Sequence, residues 1–176
     1  MKRWPTMKTS QRYRDRLSRT LVLSLGLLSS LVCFTEHQLK TADHPYVYHL
    51  IQSSLWEPAD EANVTYFPPT YEVDGFTHGT SNPDKLLNVA NHFYPDVKGK
   101  WYWLRMTVGS LAATGVKTVF EGTAPVGDKL PNFDGADDEL FPHILGGIHP
   151  EAVLEMHDVS RSEDGAFLSI EGITYE

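Results

Sequence analysis

The alternation of apolar and polar positions along this chain predicts a mixture of short strands and a few short helices. Residues 47–51 form a compact, β-prone apolar run, which predicts the first strand. After this run in the sequence, Ser53 or Ser54 can cap a short helix that has Pro58 in its first turn. Residues 75–80 predict a short strand that opens into a loop.

The strongest helix signal begins at Ser81 or Asn82, with Pro83 at the first or second helical position. Pro95 ends this helix. An apolar stripe at spacing three to four predicts its buried face, which consists of Leu86, Val89, Ala90 and Phe93.

Residues 101–108 have the alternation of a strand, and one face is predicted to hold Tyr102, Leu104, Met106 and Val108. Shorter runs predict further strands at 116–121, 152–156 and 167–170. Residues 124–139 are rich in Gly, Pro, Asp and Asn, and they predict a long acidic loop. Strands mixed with a few helices place the fold in the α+β class.

Charge is divided unevenly between the two ends of the chain. Residues 1–36 carry seven Lys or Arg and two acids, a net of +5, whereas residues 37–176 carry eight Lys or Arg and twenty-one acids, a net of −13. A folded part this acidic lacks the positive surface of a nucleic-acid binder, which argues against DNA or RNA as a partner. Cys33 is the only cysteine, so an intrachain disulfide and a cysteine-based zinc site are both excluded.

The first 36 residues have the pattern of a targeting segment. Seven basic residues precede an apolar run at 21–34, whose length of about 14 residues suits a signal-peptide core and falls short of a bilayer span. An export signal is favoured. The alternatives are a membrane anchor formed by an uncleaved segment 21–34 and an organelle transit peptide, so the expected location is the secretory pathway, a membrane or an organelle.

The chain is therefore expected to consist of a targeting or anchor segment, one domain and a C-terminal extension. The targeting segment takes residues 1–36 and the domain takes residues 41–160. Residues 161–176 form the extension, which has room for one extra strand.

Three histidines lie in short motifs of their own: His49 in V-Y-H-L, His78 in G-F-T-H-G-T and His143 in F-P-H-I-L-G. Imidazole is the side chain best suited to proton transfer, metal ligation and polar recognition near neutral pH. Each of the three is embedded among apolar neighbours, which indicates one polar cleft assembled by the fold.

These motifs resemble the family called "domain of unknown function 952". The family pattern opens with aliphatic-Tyr-His-aliphatic, continues with Trp, Gly-Phe-Ile-His and Val-Ala-Asn-x-Phe-Tyr, and closes with Phe-Pro-His-Ile-Tyr-Gly and an Ala-Val pair. The chain has the corresponding segments in the same order across residues 46–158, including Trp56, V-A-N-H-F-Y at 89–94 and the Ala-Val pair at 152–153. It departs from the pattern at Thr77, Gly79 and Leu145.

The resemblance implies a fold similar to the ADP-ribosyltransferase fold, in which a split, bent mixed sheet with a few short helices surrounds a cleft. Relatives of that fold bind NAD in the cleft. By this analogy His49 contacts a ribose hydroxyl, with Tyr48 and Thr80 beside it in cofactor binding. His78 faces the same cleft, and His143 approaches from the opposite side, near the nicotinamide ribose.

Glu121 is the remaining candidate, since it ends a predicted strand and can bind a ribose hydroxyl or act as an acid or base. The resemblance therefore implies NAD or a related nucleotide as the ligand, with no resident metal. The predicted catalytic set is His49, His78, His143 and Glu121.

Three functions fit these residues. The first is an NAD-directed transferase or glycohydrolase, which polarises the nicotinamide–ribose bond and stabilises the positive sugar. The second is a non-catalytic module for a small anionic or nucleotide-like ligand. The third is a zinc site of three imidazoles and a water, although the chain offers no His-x-x-x-His pair to support it. Each histidine also has a purely structural alternative as a hydrogen-bonded core or turn residue.

Overall fold

The computed structural model describes residues 44–174, which contain seven strands, four short α-helices and two 3₁₀ turns. The strands are β1 (Val47–Gln52), β2 (Thr77–His78), β3 (Trp101–Met106), β4 (Lys117–Glu121), β5 (Phe141–Leu145), β6 (Glu155–Arg161) and β7 (Phe167–Ile170). The α-helices are α1 (Ser53–Glu61), α2 (Tyr71–Asp74), α3 (Leu86–Phe93) and α4 (Val108–Ala113). The 3₁₀ turns are Pro83–Lys85 and Pro150–Ala152.

The strands form two sheets, one in the order β1-β3-β6-β7 and the other in the order β2-β5-β4. This arrangement confirms the α+β class. Every strand pairing among the described residues is antiparallel, whereas a mixed sheet was expected. Side chains alternate in the same way in parallel and antiparallel strands, so the sequence pattern did not report strand direction.

The two sheets meet at the free edge of β1. The backbone amide and carbonyl of Tyr48 exchange hydrogen bonds of 2.8 and 2.9 Å with Thr80. The opposite edge of β1 pairs with β3 along its whole length. Thr80 lies two residues after the end of β2, so this single bridge brings the histidine of β1 next to the histidine of β2.

Both faces of β1 and β3 are buried, which produces two hydrophobic cores. Val47, Ile51 and Leu104 belong to the first core, on the same face as His49. The second core contains Tyr48, Leu50, Leu86, Ala90, Trp101 and Trp103. The predicted alternation of residues 101–106 is thereby confirmed, and the predicted stripe of α3 supplies Leu86 and Ala90 to the second core.

Element ends differ from the sequence prediction at three places. The strand predicted through Val108 ends at Met106, because Thr107 and Ser110 form a capping box that starts α4. Gln52 rather than Ser53 precedes α1, and Pro58 lies in its second turn. The strand predicted over 152–156 begins at Glu155, after a 3₁₀ turn that contains a proline.

No helix within residues 44–174 is long and apolar enough to cross a bilayer. The targeting or anchor segment predicted over residues 1–36 lies outside the described residues. β7 falls in the segment predicted as a C-terminal extension, and Asn91 of α3 fixes it by exchanging two hydrogen bonds with the backbone of Phe167.

Gly147 allows two segments of the fold to approach each other closely. A Cβ at this position would lie 2.4 Å from the backbone oxygen of Tyr66 and 2.6 Å from Cγ2 of Thr65. Because backbone cannot move aside cheaply, we expect Gly147→Ala to lower the free energy of unfolding by about 2 kcal/mol in urea titration. Gly122→Ala is the control, since a Cβ there meets no atom within 4 Å. Equal stability of the two variants would contradict this packing.

Candidate functional site

A cleft opens where the two sheets meet, and it holds about 520 Å³ of space when its open mouth is counted. Its polar wall contains the three predicted histidines, from β1, β2 and β5. The apolar part of the lining includes Val89, Phe93, Trp103, Val126, Pro131 and Phe133. The fold therefore brings the three histidine motifs to one site, although about a hundred positions separate the first motif from the last in sequence.

His49 is held by one nitrogen and leaves the other without a partner. Its Nδ1 donates to the backbone oxygen of His78 at 2.7 Å, because a carbonyl can only accept. Its Nε2 is therefore an acceptor, and it is buried without a hydrogen-bond partner among the described residues. Burial lowers the pKa of His49 to about 4, so the ring is neutral at pH 7.

His78 forms a carboxylate–imidazole pair with Asp74 at the end of α2. Its Nε2 lies 3.0 Å from Oδ2 of Asp74, whose side chain is only 4% exposed. The same carboxylate accepts the backbone N–H of Gly127 at 3.0 Å. Burial lowers the pKa of His78 more than the Asp74 carboxylate raises it. The carboxylate fixes the proton on Nε2, which makes Nδ1 the free acceptor.

His143 forms a second pair of the same kind. Its Nδ1 lies 3.1 Å from Oε2 of Glu121, which directly faces β5 across the β4–β5 ladder. The histidine is buried, whereas 64% of the Glu121 side chain is exposed to solvent. Burial lowers the pKa of His143, with the Glu121 carboxylate acting in the opposite direction.

Phe76 joins the two pairs. Its ring stacks on His143 with a centroid distance of 3.9 Å and an interplanar angle of 15°. It also contacts His78 at 4.5 Å, and the two imidazoles lie 6.1 Å apart in an edge-to-face arrangement. The relative positions of the two histidines are thus set by aromatic packing as well as by their carboxylates.

Each of the three imidazoles has one nitrogen fixed by a protein acceptor and one nitrogen left as a lone pair. A neutral imidazole oriented in this way accepts a hydrogen bond from a hydroxyl or an amine, and it can take a proton from it. The site is therefore suited to a ligand that presents several hydrogen-bond donors.

Tyr48 and Thr80, predicted as binding residues, are both buried and both line the cleft. Their backbone bridge holds the edge of β1 in place, and the ring of Tyr48 belongs to the second hydrophobic core. Leu145, where the family pattern has Tyr, is 45% exposed and does not line the cleft. This departure consequently leaves the lining of the cleft unchanged.

Sequence reasoning missed three residues of the site. Asp74 lies four positions before His78, a spacing that could have revealed the pair. Gly75, with φ of 79°, ends α2 and turns the chain so that the two side chains meet. Phe76 was treated only as part of a motif. Tyr94 of the V-A-N-H-F-Y motif also lines the cleft, where burial and the charge of Asp74 raise its pKa to about 12.

The loop predicted over 124–139 forms part of the cleft wall through Val126, Pro131 and Phe133. Nε2 of His92, on α3, lies 2.7 Å from the backbone oxygen of Leu130, and this contact holds the loop against the helix. His157 of β6 is buried beside the neighbouring strand β7. Its Nδ1 donates to the backbone oxygen of Glu171 at 2.9 Å.

Within residues 44–174, no group of three His, Cys, Asp or Glu side chains is placed to hold a metal ion. Two of the histidine nitrogens are already hydrogen-bonded within the protein. Nδ1 of His49 bonds a backbone carbonyl, and Nδ1 of His143 bonds a carboxylate.

The Asp74–His78 pair leads to a testable prediction about the pKa of His78. We expect Asp74→Asn to lower the pKa of His78 further, because the variant removes the carboxylate that favours the imidazolium. NMR titration of the histidine rings measures this change. Glu72→Gln on the exposed face of the same helix is the control and should leave the pKa of His78 unchanged. An unaltered pKa in Asp74→Asn would show that the pair does not form in solution.

Comparison with known proteins places this chain among uncharacterised relatives. Residues 50–156 match the family described as "Protein of unknown function (DUF952)". No curated protein matches the sequence. The crystal structure of protein CC0527 from Caulobacter crescentus is similar, with a TM-score of 0.52 at 14% identity over 70% of this chain and 93% of that one. A double mutant of the same protein gives the same values. The likeness shows a shared fold.

Proposed function

The chain belongs to the DUF952 family of proteins of unknown function, and from this membership and the geometry of the cleft we propose that it binds NAD or a related nucleotide and transfers or hydrolyses the ADP-ribose group. The proposal includes an ADP-ribosyltransferase-like fold. Two antiparallel sheets that touch at one bridge, with a cleft at their junction, are consistent with the split sheet of that fold.

The observation that carries the proposal is the unpartnered Nε2 of His49. A buried acceptor without a partner destabilises the folded protein by about 1–3 kcal/mol. Six side-chain atoms among the described residues are buried without a partner, and His49 is the residue that combines such an acceptor with a place in the cleft lining. A ribose hydroxyl is a donor of the right kind, and His49 lines the cleft in which the ribose would lie.

The polar and apolar groups of the cleft lining fit the two halves of a nucleoside. Phe93 and Phe133, whose ring centroids lie 6.1 Å apart, provide apolar surface for a flat base. The three histidines of the lining provide acceptors for sugar hydroxyls. A lining that combines apolar surface with hydrogen-bond acceptors supports a ligand that joins a ring to a sugar.

The site has the groups that cleavage of the base–ribose bond requires. The C1′–N bond breaks, its electron pair leaves with nicotinamide, and positive charge develops on the sugar. The carboxylates of Asp74, behind His78, and of Glu121, behind His143, stabilise that charge through the field that they create. A water or acceptor hydroxyl attacks C1′ and gives its proton to Nε2 of His143, which Glu121 orients as a base.

Calorimetric titration of NAD into the full-length protein, followed by chromatography for released nicotinamide, tests the proposal. We expect saturable binding at submillimolar NAD and slow release of nicotinamide, because binding and bond cleavage share one cleft. Binding without release would favour the non-catalytic binding module instead. Absence of heat at millimolar NAD would contradict the proposed function.

A further inference from the structure

The residues that line the cleft carry no formal charge near neutral pH. Within the described part of the chain, this lining includes neither Lys or Arg nor Asp or Glu. Its titratable groups are three histidines and two tyrosines, Tyr48 and Tyr94. Burial lowers the pKa of each of these histidines and raises the pKa of each of these tyrosines, so all five are neutral.

The surroundings of the cleft are negative. Asp74 contacts Nε2 of His78, and Glu121 contacts Nδ1 of His143. The loop over 124–139, which provides part of the wall, contains five acids and one lysine, a net of −4. A group that carries negative charge therefore meets a repulsive field on entering the cleft, while a neutral or cationic group does not.

The two lysines beside the cleft are engaged with other groups. Lys85 forms ion pairs with Asp138 at 3.4 Å and with Glu139 at 3.3 Å. The Nζ of Lys129 lies 3.4 Å from the backbone oxygen of Phe93, at the outer side of α3. Neither side chain is among those that line the cleft. Among the described residues that line the cleft, none is a cation that would neutralise a pyrophosphate.

We infer that the cleft recognises the nucleoside part of its ligand and leaves phosphate groups outside; this inference rests on the proposed function. The nucleoside part is a flat ring bonded through nitrogen to a hydroxylated sugar. The apolar part of the lining, with Phe93 and Phe133, takes the ring, and the imidazoles take the hydroxyls. A ring with a positive charge, such as a pyridinium, is favoured over a neutral one because of the carboxylates behind the histidines. The ligand class is thus the N-linked nucleoside, with the dinucleotide bound through its nicotinamide riboside end.

Titration of the full-length protein with nicotinamide riboside, NAD, ADP-ribose and inorganic pyrophosphate, each at low and high salt, tests this inference. We expect nicotinamide riboside to bind with a Kd within about threefold of that of NAD, because the phosphates add no favourable contact. Pyrophosphate alone is expected to give no saturable signal. The affinity for NAD should stay constant or rise as salt is added, since salt screens a repulsion.

Two variants make the test specific. Thr123→Lys places a cation on the cleft wall, and we expect it to tighten NAD, which carries two phosphates, about tenfold and to weaken nicotinamide riboside, whose ring is positive. Lys129→Ala should change neither affinity. NAD that binds more than tenfold tighter than the riboside, and weakens with salt, would overturn the inference but keep the proposed function. Failure of all four ligands to bind would overturn the proposed function and the inference with it.

Discussion

Replacing His49 by Phe is expected to weaken NAD binding roughly 100-fold, as measured by calorimetry on the full-length protein. Phenylalanine keeps a flat ring of similar size in the buried space beside Tyr66, which lies 5.9 Å from the imidazole. It removes Nε2, the acceptor that we assign to a ribose hydroxyl. The hydroxyl would then be buried without a partner, and a lost partner of this kind weakens binding by about 2–3 kcal/mol.

His157→Phe is a closely matched control for this variant. His157 is 9% exposed and His49 is 7% exposed. Both rings donate Nδ1 to a backbone oxygen, and neither Nε2 has a hydrogen-bond partner among the described residues. The two rings differ in that Nε2 of His157 lies 3.4 Å from Oε2 of Glu155. Only His49 lines the cleft. Equal loss of NAD affinity in the two variants would show that the effect comes from destabilisation, and it would remove His49 from the proposed site.

The second large effect is expected in the pH dependence of stability. Burial lowers the pKa of His49 to about 4 in the folded protein, while an unfolded histidine titrates near 6.5. Between these values the unfolded chain binds more protons than the folded one. Stability is therefore fully present above pH ~6.5 and is lost as the pH falls toward ~4, by about 3 kcal/mol for this one residue.

Urea unfolding of the full-length protein at several pH values between 4 and 7 measures this dependence. Carboxylates also titrate in this range, so the comparison is made with His49→Phe, which lacks only the imidazole. We expect the free energy of unfolding of the variant to depend less steeply on pH. The slope should correspond to up to one proton fewer taken up on unfolding. Identical slopes for the two proteins would mean that His49 is not buried as a neutral ring.

The elements that the sequence predicted well are those with a strong local pattern. The alternation over residues 101–106 and the Asn82–Pro83 start before α3 depend on neighbours in the chain, and both occur as expected. The end of β3 was wrong because the capping box of Thr107 and Ser110 is a polar signal inside an apolar run. Strand direction was wrong because alternation carries no information about the partner strand.

The site was predictable only where a motif marked it. Each of the three histidines stands within a recognisable segment, and the fold brings all three to the cleft. Asp74 has no such segment, and its role follows from a turn at Gly75 that only the structure reveals. The burial of His157 is not evident from the sequence either, because acids at 155 and 158 are typical of an exposed segment.

The most direct test of the account is an NMR measurement of the histidine ring nitrogens in ¹⁵N-labelled full-length protein, without and with saturating NAD. The account predicts that His49 carries its proton on Nδ1 and a bare Nε2 across pH 5 to 8, since burial lowers its pKa to about 4. On addition of NAD, the Nε2 resonance of His49 should move as it accepts a hydrogen bond, while that of His157 stays in place. A proton on Nε2 of His49 before NAD is added, or an Nε2 resonance that does not move at saturation, would contradict the account.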